Sequence, residues 1–244
     1  MHYGLIGFPL GHSFSRNYFT QKFQEEGLQD YSYKNFEIEN ISLFPDILKN
    51  NPDLKGLNVT IPYKEKVIKY LDKLDESAKR VGAVNVIKIE NGIVVGFNSD
   101  VYGFGESLRT FLSGKQMKAL ILGSGGASKA VAVALSELNI PYFKVSRSPK
   151  QNDLSYAQLV GRIKDFELII NTTPLGTHPN IHQKPDIPYK ELSVHHYLFD
   201  LIYNPEKSSF LTLGDQYGAK TRNGLEMLRL QAEKSWEIWN SKNF

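Results

Sequence analysis

The chain has 244 residues, with 29 Lys and Arg against 26 Asp and Glu and a net charge of +3. Without a long basic run or a long apolar run, it bears the mark of neither a nucleic-acid binder nor a membrane span. It has no cysteine, which excludes disulfides, thiolate metal sites and a cysteine nucleophile; together with a start that lacks a basic leader, this points to the cytoplasm.

Element types alternate through the first hundred residues. Residues 3–8 read as a strand, 14–26 as a helix, 31–38 as a strand, 42–49 as a helix and 54–60 as a strand. Pro62 suits the first turn of a helix predicted to run to about residue 74. Residues 83–89 and 93–97 form a predicted hairpin closed by Asn91-Gly92. The pattern implies a mixed sheet with helices and an antiparallel edge. A helix over 100–111 then leads into a second unit. There, 118–122 reads as a strand, with a helix to about 138 and a strand from 143. Later strands are expected at 168–171 and 197–201, and from Asn223 the pattern is helical through 238.

Between the strand at 118–122 and its helix lies Gly123-Ser124-Gly125-Gly126-Ala127-Ser128. Strand, glycine turn, helix and strand is the order a dinucleotide-binding turn requires. Glycines let the backbone approach a pyrophosphate, and the helix N-terminus offers it free N–H groups. About twenty residues on, an NAD site places an acid for the ribose 2′-hydroxyl. Here that stretch reads Val145-Ser146-Arg147-Ser148, and no acid appears before Asp153. Arg147, assisted by Lys150, suits a 2′-phosphate instead, so the expected cofactor is NADP(H). The fold class is α/β: an N-terminal mixed-sheet domain (1–100 and 224–244) and a Rossmann-like dinucleotide-binding domain (101–223), with a cleft between them.

Polar residues of the first unit gather where strands end and helices start. Gly11-His12-Ser13-Phe14-Ser15 sets two hydroxyls around a helix start, and Asn58-Val59-Thr60-Ile61-Pro62-Tyr63-Lys64 adds an amide, a hydroxyl and an amine. Gly82-Ala83-Val84-Asn85 and Asn98-Ser99-Asp100 add amides and a carboxylate. Taken singly, each has a plainer account. Ser13, Ser15 and Thr60 suit helix caps, the asparagines suit turns, Lys64 suits solvent and Asp100 suits a helix start. Taken together they suit a small polyol.

Their order along the chain resembles the shikimate dehydrogenase family. The matching stretches are Gly7-x-Pro9-x-x-His12-Ser13-x-Ser15, Gly56-x-Asn58-Val59-Thr60-x-Pro62-x-Lys64, Gly82-Ala83-Val84-Asn85 and Asn98-Ser99-Asp100-x-x-Gly103. Gly123-x-Gly125-Gly126-Ala127-Ser128, Asn171-Thr172-Thr173-Pro174-x-Gly176, Asp200-x-x-Tyr203-x-Pro205 and Asn223-Gly224-x-x-Met227-Leu228-x-x-Gln231 continue the series. The resemblance implies reversible NADPH-dependent reduction of 3-dehydroshikimate to shikimate, in aromatic amino-acid biosynthesis. It implies Lys64 and Asp100 as the catalytic pair, and Ser13, Ser15, Thr60, Asn85, Asp100, Tyr203 and Gln231 around the substrate. Thr172 and Gly224 join Gly123, Ser124, Gly125, Gly126, Ala127, Ser146, Arg147, Ser148 and Lys150 around the cofactor. Ser146 replaces the family's usual asparagine before the arginine, and Asn171-Thr172-Thr173 its commoner Asn-Ala-Thr.

The expected partners are a small-molecule substrate and NADP(H), with no nucleic acid and no membrane, in a monomer or homodimer. His178 and His182, four residues apart in a Pro-containing stretch, are not expected to hold a metal. Two other readings compete: a quinate-using paralogue and a catalytically silent metabolite sensor. Retention of both Lys64 and Asp100 speaks against the sensor.

Overall fold

The computed structural model describes residues 1–11, 14–115 and 117–241. Contacts divide the chain into two units, Met1–Ser99 with Ala232–Phe244, and Asp100–Gln231. The chain thus returns to its first unit at Ala232, beyond the boundary at 224 expected from sequence.

In the first unit, β1 (His2–Gly7), α1 (Phe14–Glu25), β2 (Ser32–Glu37), α2 (Phe44–Asn50) and β3 (Leu54–Val59) come first. They are followed by β4 (Lys73–Leu74), α3 (Glu76–Val81), β5 (Val86–Glu90) and β6 (Ile93–Phe97). The strands form one sheet in the order β2-β1-β3-β5-β6-β4. β1 lies parallel to β2 and β3, whereas β5 runs antiparallel to β3 and β6. Side chains alternate across a strand, so this sheet builds two cores. Tyr3 and Leu5 join Phe19, Phe23, Tyr33 and Trp239 on one face, while Ile6 joins Leu57, Phe44, Ile47, Val67 and Ile87 on the other. The Trp239 ring lies tilted with its centroid 4.7 Å from that of Tyr3, and its indole N–H donates to the Ile87 carbonyl at 2.9 Å.

The helix expected after Pro62 does not form. Only a 3-10 turn at Lys66–Tyr70 appears, followed by β4 and α3. Tertiary pairing overrides local propensity here. Asp72 N–H donates to the Val94 carbonyl and Asp75 N–H to the Gly96 carbonyl, both at 2.9 Å. These bonds draw the segment out as an edge strand beside β6. The Asp75 carboxylate then accepts from Ser77 N–H at 2.8 Å and caps α3, as a helix N-cap should.

The second unit holds α4 (Asp100–Leu112), β7 (Ala119–Leu122), α5 (Gly126–Glu137), β8 (Tyr142–Val145), β9 (Leu168–Asn171) and β10 (Tyr197–Asp200). α6 (Ser209–Gln216) and β11 (Lys220–Arg222) follow, neither of which the sequence pattern indicates. Last comes α7 (Leu225–Asn240), whose first residues belong to this unit and whose remainder belongs to the first. The sheet order is β11-β10-β9-β7-β8 with every pair parallel. All four residues of β7, β9 and β10 are buried, as expected for parallel strands covered on both faces. A six-stranded Rossmann sheet carries a further strand outside the second. Here that place holds a single parallel bridge, Val145 to Leu154, so the unit keeps the doubly wound plan in a trimmed form.

Candidate functional site

In the first unit, the ends of β1, β3 and β5 converge on the loop that carries Lys64. Thr60 N–H donates to the Ile6 carbonyl, Phe8 N–H to the Ile61 carbonyl and Val84 N–H to the Lys64 carbonyl at 2.7 Å. Tyr63 is buried and its hydroxyl donates to the Ile38 carbonyl at 2.5 Å. The backbone on both sides of Lys64 is therefore fixed, while its side chain is half-buried.

Behind this loop runs a buried polar chain. Ser15 is hydrogen-bonded to the Tyr33 hydroxyl, which donates to Asn58 Oδ1 at 2.7 Å. Burial raises the Tyr33 phenol well above its ordinary range and keeps it a neutral donor. The Asn58 amide donates to Ser235 Oγ at 3.0 Å and to the Asn85 carbonyl at 3.3 Å. Asn85 clasps Ser99 with both ends of its amide, accepting from Ser99 N–H at 2.7 Å and donating to Ser99 Oγ at 3.0 Å. Asn98 donates to the Ala83 carbonyl at 2.9 Å. Buried amides satisfied in this way specify a unique geometry, and they fix the residue immediately before Asp100.

In the second unit, strand order reverses between β7 and β9, where open α/β sheets bind ligands beyond the strand ends. Gly123 follows β7 with a φ of +112°, and a side chain there would strike Thr172 Oγ1 at 2.8 Å. Only glycine satisfies both conditions. Thr172 in turn donates to the Leu122 carbonyl at 2.7 Å. Gly125 precedes α5 without a side-chain cap, and a Cβ there would meet open space. Gly126 and Ala127 open that helix; Ser128 is buried and folds its hydroxyl onto the Gly125 carbonyl at 2.6 Å.

After β8, Ser146 is buried and its N–H donates to the Leu154 carbonyl at 3.0 Å. Arg147, Ser148 and Lys150 are exposed. Asp153, the first acid past β8, accepts from Lys150 N–H at 3.2 Å and so closes its own turn. Gly224 is buried against β10, where a Cβ would lie 2.1 Å from the Leu201 carbonyl oxygen. This close approach alone demands glycine.

The predicted residues fall into two groups by unit. Ser15, Thr60, Lys64 and Asn85 belong to the first, at or near strand ends. Asp100, Tyr203, Gln231 and the cofactor set belong to the second. Asp100 is buried at the first position of α4, where negative charge is favoured. Tyr203 is half-buried, which raises its phenol pKa by desolvation. Gln231 is buried and donates to the Leu228 carbonyl at 2.9 Å. Ser13 lies outside the described residues. Among those described, no group of three or more His, Asp or Glu side chains is placed to hold a metal ion.

One buried cluster centres on Asp200, a residue of a quoted motif to which the sequence reading attached no role of its own. Asp200 closes β10 with no exposed surface. Its carboxylate accepts from Asn171 Nδ2 and from Ile202 N–H, both at 3.0 Å, and from Ser208 Oγ at 2.5 Å. Burial pushes its pKa up from 3.8 to about 6, outweighing the three donors that pull it down. Between those values the folded protein holds a proton that the unfolded chain has released. Stability therefore falls as pH rises from about 4 to about 6, by about 3 kcal/mol from this group. Asp200→Asn is expected to remove that slope, and denaturant melts of both proteins at pH 4, 5 and 6 check it. Parallel curves would reject the assignment.

The first unit matches the family model described as the shikimate dehydrogenase substrate binding domain, over residues 5–87. A shikimate dehydrogenase (NADP(+)) of Methanococcus maripaludis strain C7 is 40% identical over 97% of this chain and 90% of its own length. The chain belongs to the shikimate dehydrogenase family. Shikimate dehydrogenase 1 of Peptoclostridium difficile is 37% identical over 100% of this chain and 92% of that one, with a TM-score of 0.85. The shikimate 5-dehydrogenase of Thermus thermophilus, solved with NADP(H) and shikimate, is 27% identical. It has a TM-score of 0.89 over 98% of this chain and 93% of its own. The family's two-unit α/β architecture is the one expected from sequence.

Proposed function

We propose that this chain carries out the family's reaction with Lys64 and Asp100 as its catalytic pair: the reversible reduction of 3-dehydroshikimate to shikimate with NADPH. The observation that carries this reading is the setting of Lys64. Lys64 is half-buried and stands on a loop pinned by hydrogen bonds to the Ile6, Phe8, Val84 and Ile38 segments. Relatives aligned over nearly the whole chain bear the name shikimate dehydrogenase (NADP(+)).

NADPH, when bound, supplies the hydride. As the ketone is reduced, negative charge grows on its oxygen, and Lys64 stabilises that charge and delivers the proton. Asp100 serves as the acidic partner of Lys64. Ser13, Ser15, Thr60, Asn85, Tyr203 and Gln231 hold the substrate's hydroxyls and carboxylate. Neutral donors suffice for a carboxylate when hydroxyls and amide N–H groups converge on it. Ser15 donates its one hydroxyl hydrogen to Tyr33, which leaves its oxygen to accept from a substrate hydroxyl.

The cofactor set fits a dinucleotide phosphate. The N-terminus of α5 has no side-chain cap and the space over Gly125 is open, as a pyrophosphate site needs. Gly123, Ser124, Gly125, Gly126, Ala127 and Thr172 would hold the pyrophosphate side. Ser146, Arg147, Ser148 and Lys150 would hold the adenosine 2′-phosphate, and Gly224 would border the nicotinamide end. Among the described residues no helix is long and apolar enough to cross a membrane. The reading places the enzyme in the cytoplasm with small molecules as its only ligands, as a monomer or homodimer.

The test follows NADPH absorbance with 3-dehydroshikimate, with NADH and quinate in parallel. Rapid oxidation of NADPH by 3-dehydroshikimate is the expected result. Folded protein that binds shikimate without turnover would instead be a sensor. Replacing both Ser13 and Ser15 with Ala is expected to raise the KM for shikimate about 10- to 100-fold and change kcat little. An unchanged KM would remove both hydroxyls from the substrate set.

A further inference from the structure

Asp200 is a buried acid that the proposed chemistry does not use. Its three acceptor bonds reach three separate pieces of backbone. Through Asn171 it holds the segment after β9: the Asn171 amide donates to Asp200 and its Oδ1 accepts from Thr173 N–H at 3.0 Å and Thr173 Oγ1 at 2.7 Å. That segment contains Thr172, which leans on Gly123 of the glycine turn. Through Ile202 N–H, Asp200 holds the residue next to Tyr203. The other side of the same peptide segment is fixed by Gly224 N–H, which donates to the Ile202 carbonyl at 3.0 Å. Through Ser208 Oγ it fixes the N-cap of α6, since that hydroxyl also accepts from Leu211 N–H at 3.3 Å.

From this geometry we infer that Asp200 is a positioning residue, setting the Thr172 segment and the Tyr203 loop against each other so that both present fixed surfaces to their ligands. The inference rests on the proposed roles of Thr172 at the cofactor and Tyr203 at the substrate. A carboxylate is the side chain for this place because it is acceptor-only on both oxygens, and all three of its neighbours donate to it. An asparagine of the same shape turns one acceptor oxygen into a donor, so keeping the Asn171 and Ile202 bonds forces the Ser208 hydroxyl to accept where it now donates. Displacements of about 1 Å at positioning groups cost up to about 100-fold in turnover efficiency.

The variants are Asp200→Asn and, to break one bond only, Ser208→Ala. Asp200→Asn is expected to raise the KM for both shikimate and NADP about tenfold or more and leave kcat within about threefold, because proton delivery at Lys64 is untouched. Ser208→Ala, which leaves the Asn171 and Ile202 bonds in place, is expected to show a smaller rise. Amide exchange supplies a readout besides activity: Thr173, Ile202 and Leu211 should exchange faster in Asp200→Asn while β7 and β9 keep their protection. Unchanged KM values for both ligands in folded Asp200→Asn overturn the inference, as does unchanged exchange at those three amides. A fall in kcat alone also overturns it. Wild-type protein that binds shikimate yet turns nothing over would sink the proposed reaction, and the exchange data would still report whether Asp200 holds the loops.

Discussion

Lys64→Ala is expected to lower kcat about 1,000-fold while the KM for shikimate stays within about threefold. The asymmetry follows from where the charge appears. Shikimate and 3-dehydroshikimate carry neutral oxygens at the reacting carbon, so an ammonium gains most when that oxygen turns anionic during reduction. An interaction made mainly in the transition state shows in kcat and not in ground-state binding. Uniform binding would show the opposite. The substitution is also structurally mild. Lys64 contributes its backbone carbonyl to Val84 N–H, a bond that alanine keeps, and its half-buried side chain leaves no closed core cavity when removed. Steady-state kinetics in the direction of shikimate oxidation, with a thermal melt as a folding control, decide the matter. A kcat near the wild-type value would take Lys64 out of the mechanism, whereas a KM-only defect would make it a binding residue.

What sequence disclosed and what it withheld divide along a physical line. β7, the Gly123 turn and α5 were legible because every device there is local. A short apolar strand, a glycine forced to positive φ and an uncapped helix start occupy consecutive positions. The β5–β6 hairpin was legible for the same reason, through Asn91-Gly92. The segment after Pro62 was not. Its fate depends on pairing with β6 some twenty residues away, which no pattern inside the segment reveals. Motif order brought Asn58 and Asn85 forward as isolated polar residues, yet their setting comes from partners far along the chain. Asn58 bonds to Ser235, 177 residues on, and the Tyr33 hydroxyl that joins Ser15 to Asn58 gave no signal of its own. Asp200 was hidden differently. It stood in a quoted motif, but an acid that closes a buried parallel strand is recognisable only once the strand is known to be buried. Its position at the C-terminal end of a parallel strand, the side of the sheet on which open α/β folds bind ligands, was the available clue.

On the proposed reading, the choice between NADPH and NADH rests with Arg147. Replacing it with Ala is expected to weaken use of NADPH about 10- to 100-fold, the worth of one or two charged hydrogen bonds to a 2′-phosphate, and to leave NADH nearly unchanged. The backbone argues for a selective effect. Ser146, one residue before, is buried and bonded through its N–H to Leu154, so the chain direction at Arg147 is set while the guanidinium stays exposed. The same fold leaves little to favour NADH. An NAD site needs a carboxylate for the ribose 2′-hydroxyl, and the first acid after β8 is Asp153, turned back on Lys150 N–H. Arg147→Asp therefore adds two effects of one sign, since it repels the 2′-phosphate and offers the missing carboxylate. It is expected to shift the NADPH-to-NADH ratio of kcat/KM by more than about 100-fold, the repulsive element contributing as much as the attractive one. Lys150→Ala, at an exposed lysine, should cost about threefold at most. Salt provides an independent check: the KM for NADPH should rise with ionic strength in the wild type and lose most of that dependence in Arg147→Ala. If Arg147→Ala lowers NADPH and NADH use equally, the arginine contacts a part common to both cofactors, and the basis of NADP preference lies elsewhere in the β8–Leu154 segment.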